Sequence, residues 1–174
     1  MNFTKKIFLL IIIGFLIHIA FVYYWPYFKV WMISQNSEAT NSVNVAFYRN
    51  IPTANSRDVI RPSPDLMYSG CGYDVTYDPL VINTDIPNSY WSVSFFSDNS
   101  DNFTTINNDQ ISEGSMTIYL FGPDSKPSQI KDGYVVVSPS NRGLMLVRQF
   151  IGNGSNLDML YEIQSSLECH PLSN

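Results

Sequence analysis

The sequence predicts a mainly β domain, a sandwich or jelly-roll-like antiparallel fold with a C-terminal helix, preceded by one N-terminal transmembrane helix. Three observations lead there. Residues 7–25, IFLLIIIGFLIHIAFVYYW, form a nearly unbroken apolar run. From residue 43 onward, β-branched and aromatic residues come in short runs broken by turn residues. Only near the C-terminus does a stretch show helical periodicity.

The apolar run comes first. Nineteen residues at 1.5 Å each span about 28 Å as a helix, close to the roughly 30 Å hydrocarbon core of a bilayer. A cleaved signal has a shorter apolar region followed by a small-residue cleavage site. Here the run leads into Tyr23, Tyr24, Trp25, Tyr27, Phe28 and Trp31, with no A-x-A pattern behind it. Aromatic rings with one polar edge collect where a helix leaves the bilayer. The pattern therefore predicts an uncleaved signal anchor over 7–28, with a cytoplasmic N-terminus at 1–6. Lys5 and Lys6 precede the span and Lys29 follows it, so the basic excess keeps the N-terminus inside and places the C-terminal domain outside. His18, in mid-span, reads as a neutral imidazole tolerated in the helix. Residues 29–42 include the polar, aperiodic SQNSEATNS and are expected to form a flexible stalk.

The outer domain, 43–174, is large enough for one core and too small for two. Strands are expected near Val43–Tyr48, Leu66–Tyr73, Leu80–Asn83, Tyr90–Phe96, Phe103–Ile106, Met116–Phe121, Tyr134–Ser138 and Leu144–Phe150. Turn formers such as Asp78-Pro79, Gly122-Pro123-Asp124 and Asp132-Gly133 separate them, the rhythm of a sandwich or barrel. After Gly152-Asn153-Gly154, Ser155 as cap and Asp158 three residues on mark a helix start. Leu157, Leu160, Tyr161 and Leu167 then share a face, and Pro171 closes the segment.

Charge excludes one class of function. Beyond Val30 seven basic residues face all fifteen acids, and so acidic a domain is repelled by nucleic acid. Chemistry is sparse as well. His170 is the only histidine outside the span, there is no G-x-S-x-G elbow, and neither a phosphate-binding nor a dinucleotide fingerprint is present. Cys169-His170 falls short of the three or four ligands a zinc site takes, so neither a metal nor a cofactor is expected. Cys71 and Cys169 are candidates for a disulfide in an oxidising compartment, or for two buried thiols.

The charged residues in Pro-rigid or strand-like settings are the remaining candidates. Arg61 and Asp65 flank Pro62-Ser63-Pro64, ahead of Tyr68. Asp98 and Asn102 follow Tyr90-Trp91-Ser92-Val93. Arg142 ends Ser138-Pro139-Ser140-Asn141, and Arg148 sits inside the apolar run Leu144–Val147. An Arg in a core-like strand must find a carboxylate or several carbonyls, and Asp65 and Asp98 are its candidate partners. Such a set holds strands in register, or lines a cleft for an anionic or sugar-like ligand. A hydrolase or a lipid- or sugar-modifying subunit would instead use Asp65 and Asp98 as a carboxylate pair.

Four segments in order, RPSPDLMYS, YDVTYDPLVI, YWSVSFFSDNSDNF and VVVSPSNRGLMLVRQFI, make residues 45–165 resemble the bacterial domain of unknown function 1254 family. Arg61, Asp65 and Tyr68 match the family's R-P-N-x-D-T-x-Y element, Ser63 and Leu66 depart from it, and Arg148 falls where the family has an Arg closing its last strand. The resemblance implies a mainly β exported domain that often stands beside a companion, the domain of unknown function 1214. It implies no reaction. It therefore points to a bacterial inner-membrane protein with a periplasmic domain, acting as a binding or assembly module whose companion is a second envelope protein.

Overall fold

The computed structural model describes residues 3–36, 43–56, 62–111, 114–125, 127, 130, 132–152 and 154–172. Helix α1 (Phe3–Asn36) is apolar on all sides, and its stretch Phe3–Met32 is long and apolar enough to cross a membrane, its most apolar window making no burying contact with the rest of the chain. An apolar surface exposed all round has no stable place in water, which distinguishes it from an amphipathic surface helix. Pro26 lies inside the helix and leaves it unbroken.

The predicted stalk needs correction. The helix continues through residues 29–36, and only 37–42 lie outside the described residues. The segment KVWMISQN has no glycine or proline to stop it. Tyr27, Val30 and Trp31 also share one helical face. Val30 is buried against the outer domain, a contact that rewards continuing the helix.

Nine strands follow: β1 (Ala46–Tyr48), β2 (Leu66–Asp74), β3 (Leu80–Ile86), β4 (Trp91–Ser97), β5 (Asn102–Asn107), β6 (Gly114–Phe121), β7 (Tyr134–Val137), β8 (Arg142–Phe150) and β9 (Glu168–Pro171). They make two sheets, in the orders β1-β2-β8-β4-β5 and β7-β6-β3-β9. All pairings are antiparallel except β6 with β7, whose parallel register (Ile118 opposite Tyr134) needs the long 122–133 connection. Eight of the nine strands stand where apolar runs between breakers place them. The sheets face each other over one core, to which Tyr73, Trp91, Val93, Phe95 and Met145 contribute from one side and Leu80, Ile82, Ile118 and Leu120 from the other. Alternation is clearest on β6, where Met116, Ile118 and Leu120 point in.

Between β8 and β9 lies α2 (Leu157–Ser165). Its cap is Asn156, not Ser155: the Asn156 side chain accepts from Met159 N–H at 3.3 Å, while Ser155 Oγ accepts from Gly152 N–H at 2.9 Å. The face turned inward is Leu160, Ile163 and Gln164, whereas Leu157 and Tyr161 stay exposed. Gln164 Nε2 donates to the carbonyls of Arg49 and Tyr68, both at 2.9 Å, tying the helix to the end of β2. The chain then enters β9, so Pro171 ends a strand rather than a helix. Leu167 and Cys169 close the core.

Candidate functional site

Two places gather the polar side chains singled out by sequence. The first is the end of the sandwich met by α1. There Asp74 and Arg142 face each other across β2 and β8, and Arg142 Nε donates to Asp74 Oδ2 at 2.7 Å. Burial pushes the Asp74 carboxyl up, but hydrogen bonds from Thr76 and Arg142 outweigh it and hold the group below the ordinary aspartate range. The pair leaves 69% of the Arg142 side chain open.

The turn ahead of Arg142 is pinned from below. Ser138 Oγ donates to the Ser140 carbonyl (2.6 Å), and Ser140 Oγ donates to the Arg142 carbonyl (2.7 Å) and accepts from Asp98 N–H (3.1 Å). Beneath it the buried Tyr73 hydroxyl lies 3.0 Å from the Phe96 carbonyl and 2.9 Å from Ser138 Oγ. Desolvation by burial pushes the Tyr73 phenol up to about 12. Only glycine fits at 143, because a β-carbon there would collide with the Tyr73 ring and the Phe96 carbonyl.

Above this turn lies a cleft of about 630 Å³. Tyr27, Val30 and Trp31 of α1 form one wall, and Asp98, Ser140 and Arg142 form the other, with Pro123 and Pro139 beside them.

The second place is the outer face of the five-stranded sheet. Tyr68, Arg148 and Ser92 stand in one cross-strand row. Arg148 Nη2 donates to Ser94 Oγ at 3.0 Å, whereas Arg148 Nε and Ser92 Oγ are buried without a partner. Ser63 N–H donates to Tyr68 Oη at 2.9 Å. Among the described residues Arg148 has no carboxylate, so neither expected partner reaches it.

Asp65 lies in the exposed turn before β2 and Asp98 in the exposed turn after β4. Their neighbours Leu66 and Ser97 stand opposite Phe150 and Gly143, seven residues apart on β8, which is about 23 Å of strand. Paired carboxylates that cleave glycosides sit about 5–9.5 Å apart. Asp65 and Asp98 therefore cannot act together, nor can they join one network with both arginines. Asn102 is exposed, accepting from Thr105 Oγ1 at 3.2 Å. Arg61 lies outside the described residues.

Cys71 and Cys169, from opposite sheets, are buried free thiols; Cys71 Sγ donates to the Gly72 carbonyl at 3.7 Å, and burial drives the Cys169 thiol well above its usual range. His170 Nδ1 lies 3.2 Å from the Pro171 carbonyl in β9. No group of three or more His, Cys, Asp or Glu side chains is placed to hold a metal ion among the described residues.

Sequence reasoning missed the wall supplied by α1, because Tyr27 read as the end of the anchor and Val30 and Trp31 as the start of a flexible stalk. The i, i+3, i+4 spacing of Tyr27, Val30 and Trp31 was the available signal.

Fold and site together define a two-sheet β-sandwich carried behind a helix able to cross a membrane. The chain belongs to the family described as protein of unknown function DUF1254, whose model matches residues 43–171. Solved structures with the same fold include the VPA0106 protein from Vibrio parahaemolyticus, 12% identical with a TM-score of 0.67, over 88% of this chain and 37% of that one. An uncharacterised protein from Burkholderia cenocepacia is 14% identical with a TM-score of 0.54, over 88% of this chain and 41% of its own. The chain thus corresponds to about two fifths of each of those proteins. No curated protein matches it.

Proposed function

We propose that this protein is a single-pass anchored module of the bacterial cell envelope, non-catalytic, whose sandwich assembles with a companion domain. The observation that carries the reading is the coverage: the fold is matched along 88% of this chain but only 37% and 41% of the two longer proteins. In those proteins the sandwich is one part of a larger body. The companion here is a domain resembling the domain of unknown function 1214, on the periplasmic side of the inner membrane. Lys5 and Lys6 ahead of the span support a cytoplasmic N-terminus.

Strand β7 supports the reading further. It is an edge strand with Tyr134, Val135 and Val137 exposed, and an uncovered apolar edge is a pairing surface that soluble monomers usually blunt. The separation of Asp65 and Asp98 weighs against a paired-carboxylate hydrolase.

The test is photo-crosslinking from positions 135 and 137 in intact membranes, followed by detergent extraction. A crosslink to one second envelope protein, weakened by Val137→Lys, is expected. A monomeric chain with no crosslinked species at native expression overturns the proposal. A C-terminal alkaline phosphatase fusion reads the orientation separately.

A further inference from the structure

The cleft between α1 and the sandwich has a fixed position relative to the span. A 30 Å hydrocarbon layer takes about 20 helical residues. Counted from Ile7, the first apolar residue after Lys6, those end at Pro26. Tyr27, Val30 and Trp31 then stand within the next turn and a half, at headgroup depth, and they are the residues of α1 that wall the cleft.

The opposite wall carries both signs of charge. Asp98 is exposed and has no cationic partner among the described residues. Arg142 is engaged by Asp74 through Nε alone and otherwise open. The Ser140 hydroxyl bridges the backbones of these two residues, and both line the same cleft. Asp78, Asp101 and Asp124 occupy turns at the same end of the sandwich. A net-anionic headgroup meets repulsion there, while an ammonium group is attracted to Asp98 and to the ring faces of Tyr27 and Trp31. A phosphodiester beside that ammonium falls to Arg142, whose guanidinium favours phosphate oxygens.

We propose that this cleft seats the zwitterionic headgroup of an ethanolamine phospholipid from the surrounding bilayer, with the ammonium on Asp98 and the phosphodiester on Arg142. The proposal rests on α1 spanning the membrane. Resistance of the full chain to extraction by urea wash tests that premise separately: a chain washed off the membrane defeats the anchored reading, whereas an anchored chain without lipid preference defeats only the headgroup site.

The experiment is native mass spectrometry of the full chain released from vesicles of equimolar phosphatidylethanolamine and phosphatidylglycerol. One retained phosphatidylethanolamine is expected, favoured about tenfold over phosphatidylglycerol. Asp98→Asn and Arg142→Gln, both at exposed positions, should each lower retention about tenfold, the loss that accompanies one charge-assisted contact. Arg142→Lys, which keeps the charge, should retain more than Arg142→Gln. Equal retention of the two lipids, or indifference to both variants, overturns the site. Soluble glycerophosphoethanolamine competing as well as the lipid overturns the bilayer as its source.

Discussion

Tyr73 links the core to the turn beneath the cleft, and its ionisation makes the protein's stability depend on alkaline pH in a calculable way. Its phenol is raised from 10.0 to about 12 by burial, so in the folded state the neutral form persists where the unfolded chain has already lost its proton. The unfolded state then binds fewer protons than the folded one, and stability falls as pH rises. The contribution is fully present below pH 10 and is lost between pH 10 and 12. At roughly 1.4 kcal/mol per pH unit, a two-unit shift is worth about 2.7 kcal/mol in all, of which about 1.4 kcal/mol is gone by pH 11. Tyr73→Phe removes this dependence and also removes the hydroxyl that meets Phe96 and Ser138, a loss of about 1 kcal/mol. The full chain in detergent micelles, unfolded with urea at pH 8, 9, 10 and 11, should show wild type ahead by about 1 kcal/mol at pH 8. That lead should close near pH 11. Tyr48, whose phenol is raised chiefly by desolvation, is present in both proteins and cancels in the difference. A lead that stays constant or widens between pH 9 and 11 would refute the account of Tyr73.

Other substitutions test the polar groups one at a time. Asp65→Asn and Asp98→Asn should each shift urea-unfolding free energy by less than about 0.5 kcal/mol, since both carboxylates are exposed and bind no arginine among the described residues. A loss of about 3–5 kcal/mol from either would reveal a buried ion pair. Arg148→Met should leave stability unchanged or raise it by about 1 kcal/mol, because a guanidinium with a buried, unpartnered Nε is desolvated without full compensation. Ser94 Oγ keeps a partner in Thr105 Oγ1 at 3.1 Å. Thiol alkylation of the reduced protein should be slow at Cys71 and Cys169 until urea unfolds the chain, because burial excludes the reagent and raises the Cys169 thiol. Intact mass before and after reduction reads whether oxidation joins the two sheets through these sulfurs.

What could be read in the sequence was what is local. The run Tyr90–Phe96 and the breakers Gly122-Pro123-Asp124 mark a strand and a turn from a handful of adjacent residues, and both appear where expected. The strand β9 escaped, because Glu168-Cys169-His170-Pro171 is short, has no alternating pattern and exists only through its pairing with β3. Charged pairs escaped for the same reason. Arg142 was visible as a candidate, but its partner follows from the β2–β8 register, which places Asp74 opposite it and leaves Asp65 and Asp98 at opposite ends. A one-residue slip of that register would have changed every partner. The turn Ser138–Arg142 was flagged for its proline and arginine. Its hydrogen bond to Asp98 depends on two loops meeting across 42 positions of sequence.

On the anchored reading proposed above, the unbroken course of α1 through Asn36 and its Val30 contact with the sandwich would make it a drive shaft rather than a tether. Each residue of helix carries the sandwich about 1.5 Å further from the bilayer and turns it by about 100° around the helix axis. Helical phase therefore decides which flank of the domain faces a neighbouring membrane protein. One residue added between Pro26 and Val30 would swing β7 away from a partner it had faced, while four added residues would bring it back to within about 40°, one turn higher. A flexible stalk would be indifferent to both changes.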